Sequence, residues 1–179
     1  ERLASVLQVI YLLFTEGYTA AEGERPIRRD VAREAVRLGR QLSALMPGEP
    51  EIDGLIALME FQASRFAARV GPDGAPVLLD QQDRRRWDRS AITRGREAMR
   101  RAAPEERGWG YYGLQAAIAE CHVVAPSFEE TDWTRILRLY DALVMLSPTP
   151  VVRLNRVVAF SMVYGPEDAL PMVDALAPE

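Results

Sequence analysis

Asp30-Val31-Ala32-Arg33-Glu34-Ala35-Val36-Arg37-Leu38-Gly39-Arg40-Gln41-Leu42-Ser43-Ala44-Leu45 is the stretch from which the fold class is read. Val31, Ala35, Leu38, Leu42 and Leu45 recur at three- and four-residue intervals, which places them on one stripe of an α-helix with charged residues opposite. Asp30 stands where an N-cap would accept the first free amide, and Pro47-Gly48 ends the pattern.

The same period continues on both sides. Upstream, Val6, Leu7, Ile10, Leu13 and Phe14 are helically spaced, and Gly17 is expected to close that helix with a left-handed cap. Thr15-Glu16-Gly17-Tyr18 then reads as a helix end whose tyrosine packs on the core, followed by a loop containing Gly23 and Pro26. Downstream, a third helix from about Pro50 carries Ile52, Leu55, Ile56, Leu58, Met59, Phe61 and Phe66. It is apolar around more than one face, which predicts the deepest position in the bundle.

Gly71-Pro72-Asp73-Gly74 forms a turn, and Pro76-Val77-Leu78-Leu79 is an extended apolar stretch too short to imply a sheet. Further helices are expected from about Asp88 to Ala103 and from about Tyr111 to Val124, with a loop over Pro126 to Thr131. In the last third, Tyr140-Asp141-Ala142-Leu143 is echoed by Val173-Asp174-Ala175-Leu176, 33 residues on. Leu114-Gln115-Ala116-Ala117-Ile118-Ala119 is likewise echoed by Leu154-Asn155-Arg156-Val157-Val158-Ala159, offset by 40 residues.

A helix-turn-helix unit with a period near ~34 and a proline after its second helix, here Pro148, is the pattern of tetratricopeptide repeats. The expected fold is therefore all-α: a bundle or solenoid of antiparallel helix hairpins, tetratricopeptide-like in its C-terminal part. Residues 1–107 form the first helical portion and 108–179 the repeats, as one continuous unit. Glu1 without a methionine and a last repeat broken off at Glu179 read as cuts from a longer chain.

With 179 residues and 48% hydrophobic content the chain can bury one core without staples. No apolar run approaches the ~20 residues of a membrane span, and no signal peptide pattern is present, so a cytoplasmic location is expected. One cysteine, Cys121, excludes an internal disulfide, and one histidine, His122, removes the usual zinc and proton-shuttle constellations. Cys121 and His122 are neighbours, so on a helix they point about 100° apart and cannot pair as nucleophile and base. Both read as core residues, and no enzyme and no cofactor are expected.

Every basic residue is an arginine, and the net charge of −4 is unevenly spread. Nine arginines face six acids between Asp80 and Arg107, against four arginines and nine acids from Glu120 onward, so a positive and a negative face are expected. The interleaved acids and the low pI argue against direct nucleic-acid binding. The densest polar cluster is Asp80-Gln81-Gln82-Asp83-Arg84-Arg85-Arg86-Trp87-Asp88-Arg89. A helical turn there would place Asp83 and Arg86 on one face to pair or to hold a partner, with Trp87 as an apolar anchor. The bland reading is a solvated turn with loosely paired charges. An alternative is a small-molecule sensor whose pocket is lined by Trp109, Tyr111, Tyr112 and Trp133.

Several motifs in order carry a family likeness: Tyr11-Leu12-Leu13-Phe14-Thr15-Glu16-Gly17-Tyr18, Arg29 to Leu38, Gly54 to Met59, Leu78 to Asp88, Leu114 to Ala119, Thr131-Asp132-Trp133 and Pro150 to Arg156. Together they resemble the long C-terminal extension of one group of ECF-type bacterial RNA polymerase sigma factors. The resemblance covers essentially the whole chain. It implies a tetratricopeptide-type domain that regulates transcription initiation through its own N-terminal sigma domains, core polymerase or a regulator protein. The core-polymerase-binding and promoter-binding domains would then lie before Glu1, and this segment alone would neither bind a promoter nor support transcription. An Asp-x-x-Arg motif, here Asp83 and Arg86, marks the functional surface in that family; Asp80, Trp87 and Asp88 complete the candidate contact set.

Overall fold

A computed structural model of the chain describes residues 2–19, 29–103 and 108–176, and the described residues are all-helical, with one isolated β-bridge between Val70 and Pro76. The helices are α1 (Arg2–Thr19), α2 (Arg29–Leu45), α3 (Pro50–Ala63), α4 (Arg89–Ala102), α5 (Tyr111–Val124), α6 (Trp133–Leu146), α7 (Pro150–Tyr164) and α8 (Pro166–Asp174). Two short 3-10 turns, Leu79–Gln81 and Arg84–Arg86, lie between α3 and α4. The loop expected around Gly23 and Pro26, and the side chain of Tyr18, lie outside the described residues.

The centre of the molecule is α3. Every residue from Ile52 to Phe61 is buried, because α2, α4 and α5 pack around the helix and α1 touches it as well. Two glycines permit the closest approaches. A Cβ on Gly54 would lie 2.7 Å from the Gly113 backbone nitrogen on α5, and one on Gly95 of α4 would lie 2.5 Å from the Phe61 ring. From α5 onward the packing is serial: α6 on α5, α7 on α6, α8 on α7.

The helix limits follow local chemistry at several ends. Asp88 caps α4 by accepting from the Ala91 amide at 3.0 Å, Asp132 caps α6 through Arg135 N at 2.8 Å, and Thr149 caps α7 through Val152 N at 3.3 Å. Gly48 and Gly165 take positive φ, at 86° and 102°, as turns between helices require. The turn at Gly71–Gly74 forms as expected, with Gly71 N donating to Ala75 O at 2.8 Å.

Two expectations need correction. Helix α1 runs through Gly17 to Thr19, so Gly17 lies inside the helix, buried and without a left-handed conformation, and does not cap it. Helix α2 begins at Arg29, which puts Asp30 inside the first turn instead of at the cap; there its carboxylate still complements the positive end of the helix dipole.

Candidate functional site

The polar segment between residues 80 and 89 is a brace rather than a free loop. Asp83 has extended backbone (φ −69°, ψ 105°) and caps the 3-10 turn, its carboxylate accepting from the Arg85 amide at 3.0 Å. The same carboxylate takes both Nε and Nη2 of Arg85 at 3.0 Å. Asp83 does not pair with Arg86: an Asx-type turn reaches two residues ahead, so Arg85 is the partner of its carboxylate. Asp83, Arg85 and Arg86 remain exposed, as does Asp80 in the preceding turn. The Arg85 contact holds the Asp83 carboxyl below its usual range.

The other two members of the expected contact set have structural duties. Trp87 is only 3% exposed and lies in the core. Asp88 caps α4, and its own amide donates to Ser64 O at 2.8 Å, fastening the segment to the end of α3. Between them, Arg84 turns inward. Its Nη1 donates to His122 O at 2.7 Å and Ala125 O at 2.9 Å, and its guanidinium carbon sits 4.4 Å from the centre of the Trp87 ring. A cation thus neutralises the carbonyl end of α5 and stacks on an aromatic face.

The opposite end of α5 is held in the complementary way. Gly110 offers no capping side chain, and Glu51 of α3 accepts from the amides of Tyr112 at 3.1 Å and Gly113 at 3.3 Å. An acid at the amino end and an arginine at the carboxyl end, both from other elements, therefore fix α5 along the helix axis. Buried Glu60 of α3 receives Arg40 from α2 and both Nε (3.1 Å) and Nη2 (2.9 Å) of Arg94 from α4. Buried Asp53 receives Arg101 at 3.1 Å and Ser43 at 3.2 Å. Acids inside an apolar helix are thereby paired, as burial demands.

A second feature lies in the cleft bounded by α3, α5, α6 and α7, about 390 Å³ in volume. Gln115, Ile118, Ala119 and His122 form its α5 wall at i, i+3, i+4 and i+7, while Leu58, Gln62 and Arg65 form the α3 side. Arg65 Nε, Gln115 Nε2 and His122 Nδ1 are buried and have no hydrogen-bond partner. Burial and the nearby Arg84 charge lower the Arg65 guanidinium to about 10. Burial, Arg65 and Arg84 together lower the His122 imidazole to about 4, so it is neutral at pH 7. Cys121, as expected, is a core residue whose thiol is raised by burial, whereas its neighbour His122 borders the cleft against Trp133 at 5.3 Å.

No described cavity is lined by all four aromatic residues expected to form a sensor pocket. Trp109 borders a groove beside α4, Tyr111 and Tyr112 border a cavity against α1, and Trp133 packs on His122 and Phe128. Consecutive Tyr111 and Tyr112 diverge on the helix, the first exposed and the second buried. Sequence reasoning missed Arg84, Glu51 and Arg65. Arg65 had a visible signal: none of the residues three and four positions away, Phe61, Gln62, Ala68 and Arg69, is an acid.

Among the described residues no group of three or more His, Cys, Asp or Glu side chains could hold a metal ion, and no helix is long and apolar enough to cross a membrane. Fold and site define an all-helical body braced by arginine–carboxylate contacts around one central helix. Residues 2–103, spanning α1 to α4, match the model of the family of unknown function DUF6596, and the chain belongs to that family. It is also 51% identical over 176 residues to an uncharacterized protein of Rhizobium meliloti (strain 1021), covering 98% of this chain but 41% of that relative's length. No solved structure matches significantly.

Proposed function

We propose that this chain is a non-catalytic, protein-binding regulatory domain of an ECF-type RNA polymerase sigma factor, with hairpins α5–α6 and α7–α8 as tetratricopeptide-like units. The observation that carries the reading is a second apolar stripe on helices already packed through a first. On α1, Leu7, Ile10 and Phe14 face the core while Val6, Val9 and Leu13, at i, i+3 and i+7, stay exposed. On α7, Val151, Leu154, Val158 and Met162 form a comparable exposed stripe. Helices apolar on two faces bury both in their working state, and exposed apolar faces of this kind mark protein contacts. The ordered run of motifs resembling the sigma-factor extension supplies the partner: the chain's own sigma domains or a regulator protein. Asp80, Asp83 and Arg86, exposed on a brace fixed to α5, supply a polar contact edge.

The test is co-purification of this chain with separately expressed N-terminal sigma domains. Binding is expected for the native sequence and is expected to be lost in Val9→Glu and weakened in Asp83→Ala/Arg86→Ala, with helical content unchanged. A native chain that fails to bind at high concentration, or variants that bind as well as the native chain, would contradict the reading.

A further inference from the structure

The cleft between α3, α5, α6 and α7 holds an electrostatic imbalance that the fold itself does not resolve. A buried charge is stable when an opposite charge meets it, as the buried Glu60 carboxylate is met by half-exposed Arg40 and Arg94. Among the described residues Arg65 has no such partner: the charged group acting on it is a second cation, Arg84, and no described Asp or Glu lines the cleft. Arg84 commits its Nη1 to the carbonyls of His122 and Ala125 and leaves its Nη2 buried without a partner, and the acid acting on it is Glu129, which lies outside the cleft lining. Gln115 Nε2 and His122 Nδ1 are buried without a partner on the same cleft. Beside these polar atoms run apolar walls from Leu58, Leu143 and Val152.

We infer that this cleft is a binding site for a small organic oxyanion, a carboxylate or phosphate monoester, whose charged head meets Arg65, Gln115 and His122 and whose apolar body lies along Leu58, Leu143 and Val152. The volume suits a molecule of about the size of an aromatic acid. The anion would supply the countercharge that Arg65 lacks, and a guanidinium fork matches either oxyanion geometry. Four helices border the cleft, so the ligand would tie the α3-centred body to the α6–α7 hairpin. The inference does not depend on the partner protein proposed above.

Thermal melting of the 179-residue chain tests it with benzoate, phenyl phosphate and their uncharged counterpart benzyl alcohol, each at 10 mM and matched ionic strength. One or both acids are expected to raise the melting temperature by roughly 3 °C, a shift typical of millimolar binding to a chain of this size. Which acid acts more strongly separates a carboxylate site from a phosphate site. Benzyl alcohol is expected to do nothing. Arg65→Met should abolish the shift and Gln115→Leu should reduce it. In ligand-free buffer Arg65→Met should melt no lower than the native chain, because an unpaired buried charge has been removed. The inference fails if neither acid shifts the melt, if benzyl alcohol works as well as benzoate, or if Arg65→Met responds like the native chain.

Discussion

The two halves of this molecule use helices in opposite ways. In α3, ten consecutive residues from Ile52 to Phe61 are buried, and its acids Glu51, Asp53 and Glu60 are consumed by an α5 terminus and by arginines of α2 and α4. In α7 the buried set is Val152, Val157 and Ala159, and in α8 it is Ala169. The difference lies in neighbours, because α3 is surrounded whereas, among the described helices, α7 packs on α6 and α8. A surrounded helix must satisfy every polar atom internally, which locks register; a helix covered on one side keeps apolar surface available for something else.

If the α3–α5 contact is the locked part, the largest effect comes from Gly54→Ala. The added Cβ meets backbone atoms of Gly113, which cannot swing away as a side chain tip could, so unfolding free energy should fall by about 3 kcal/mol in urea titration. Arg84→Met tests the far end of the same helix. It removes two charge-assisted hydrogen bonds to α5 carbonyls and the stacking on Trp87, and roughly 2 kcal/mol should be lost. An unchanged urea midpoint in that variant would mean that the brace does not hold α5.

The pH response sharpens the same contrast through His122. Its folded-state value near 4 lies below the usual 6.5, so the unfolded chain takes up the proton first as the solution is acidified. This contribution to stability is fully present above about pH 6.5 and is lost progressively as pH falls towards 4. Between pH 7 and 5 the loss should be about 1–2 kcal/mol, and His122→Gln should flatten that part of the profile. At the other extreme, Met145 is 84% exposed on α6, and Met145→Gln should change stability by less than about 0.5 kcal/mol. A loss as large as that of Arg84→Met would show that the α6–α7 surface is packed in solution.

Much of the helical layout was legible because its signals are local. The helical spans of α2 and α5, the Pro47-Gly48 stop and the start of α4 near Asp88 need only neighbouring residues, and the depth of α3 follows from apolar residues on more than one face; the buried face of α2, however, falls on Ala32, Ala35, Val36 and Gly39, with Leu45 79% exposed. The site was less legible because its contacts are distant in sequence. Glu51 meets α5 amides 61 and 62 positions away, and Arg84 meets carbonyls 38 and 41 positions away. Charge pattern alone cannot tell which of three adjacent arginines turns inward. For Asp83 the spacing is read on the wrong geometry: the residue sits just before the turn, not within a helix, and folds back on Arg85. Gly17 is misleading for a different reason, since a glycine near a helix end signals a cap equally well when the helix continues past it.

The most direct test of the two-part account is native-state hydrogen exchange resolved by peptide. The account predicts that amides of α3 and α5 exchange only on global unfolding, while those of α7 and α8 exchange at least about 100-fold faster. Equal protection of α3 and α8 would contradict it.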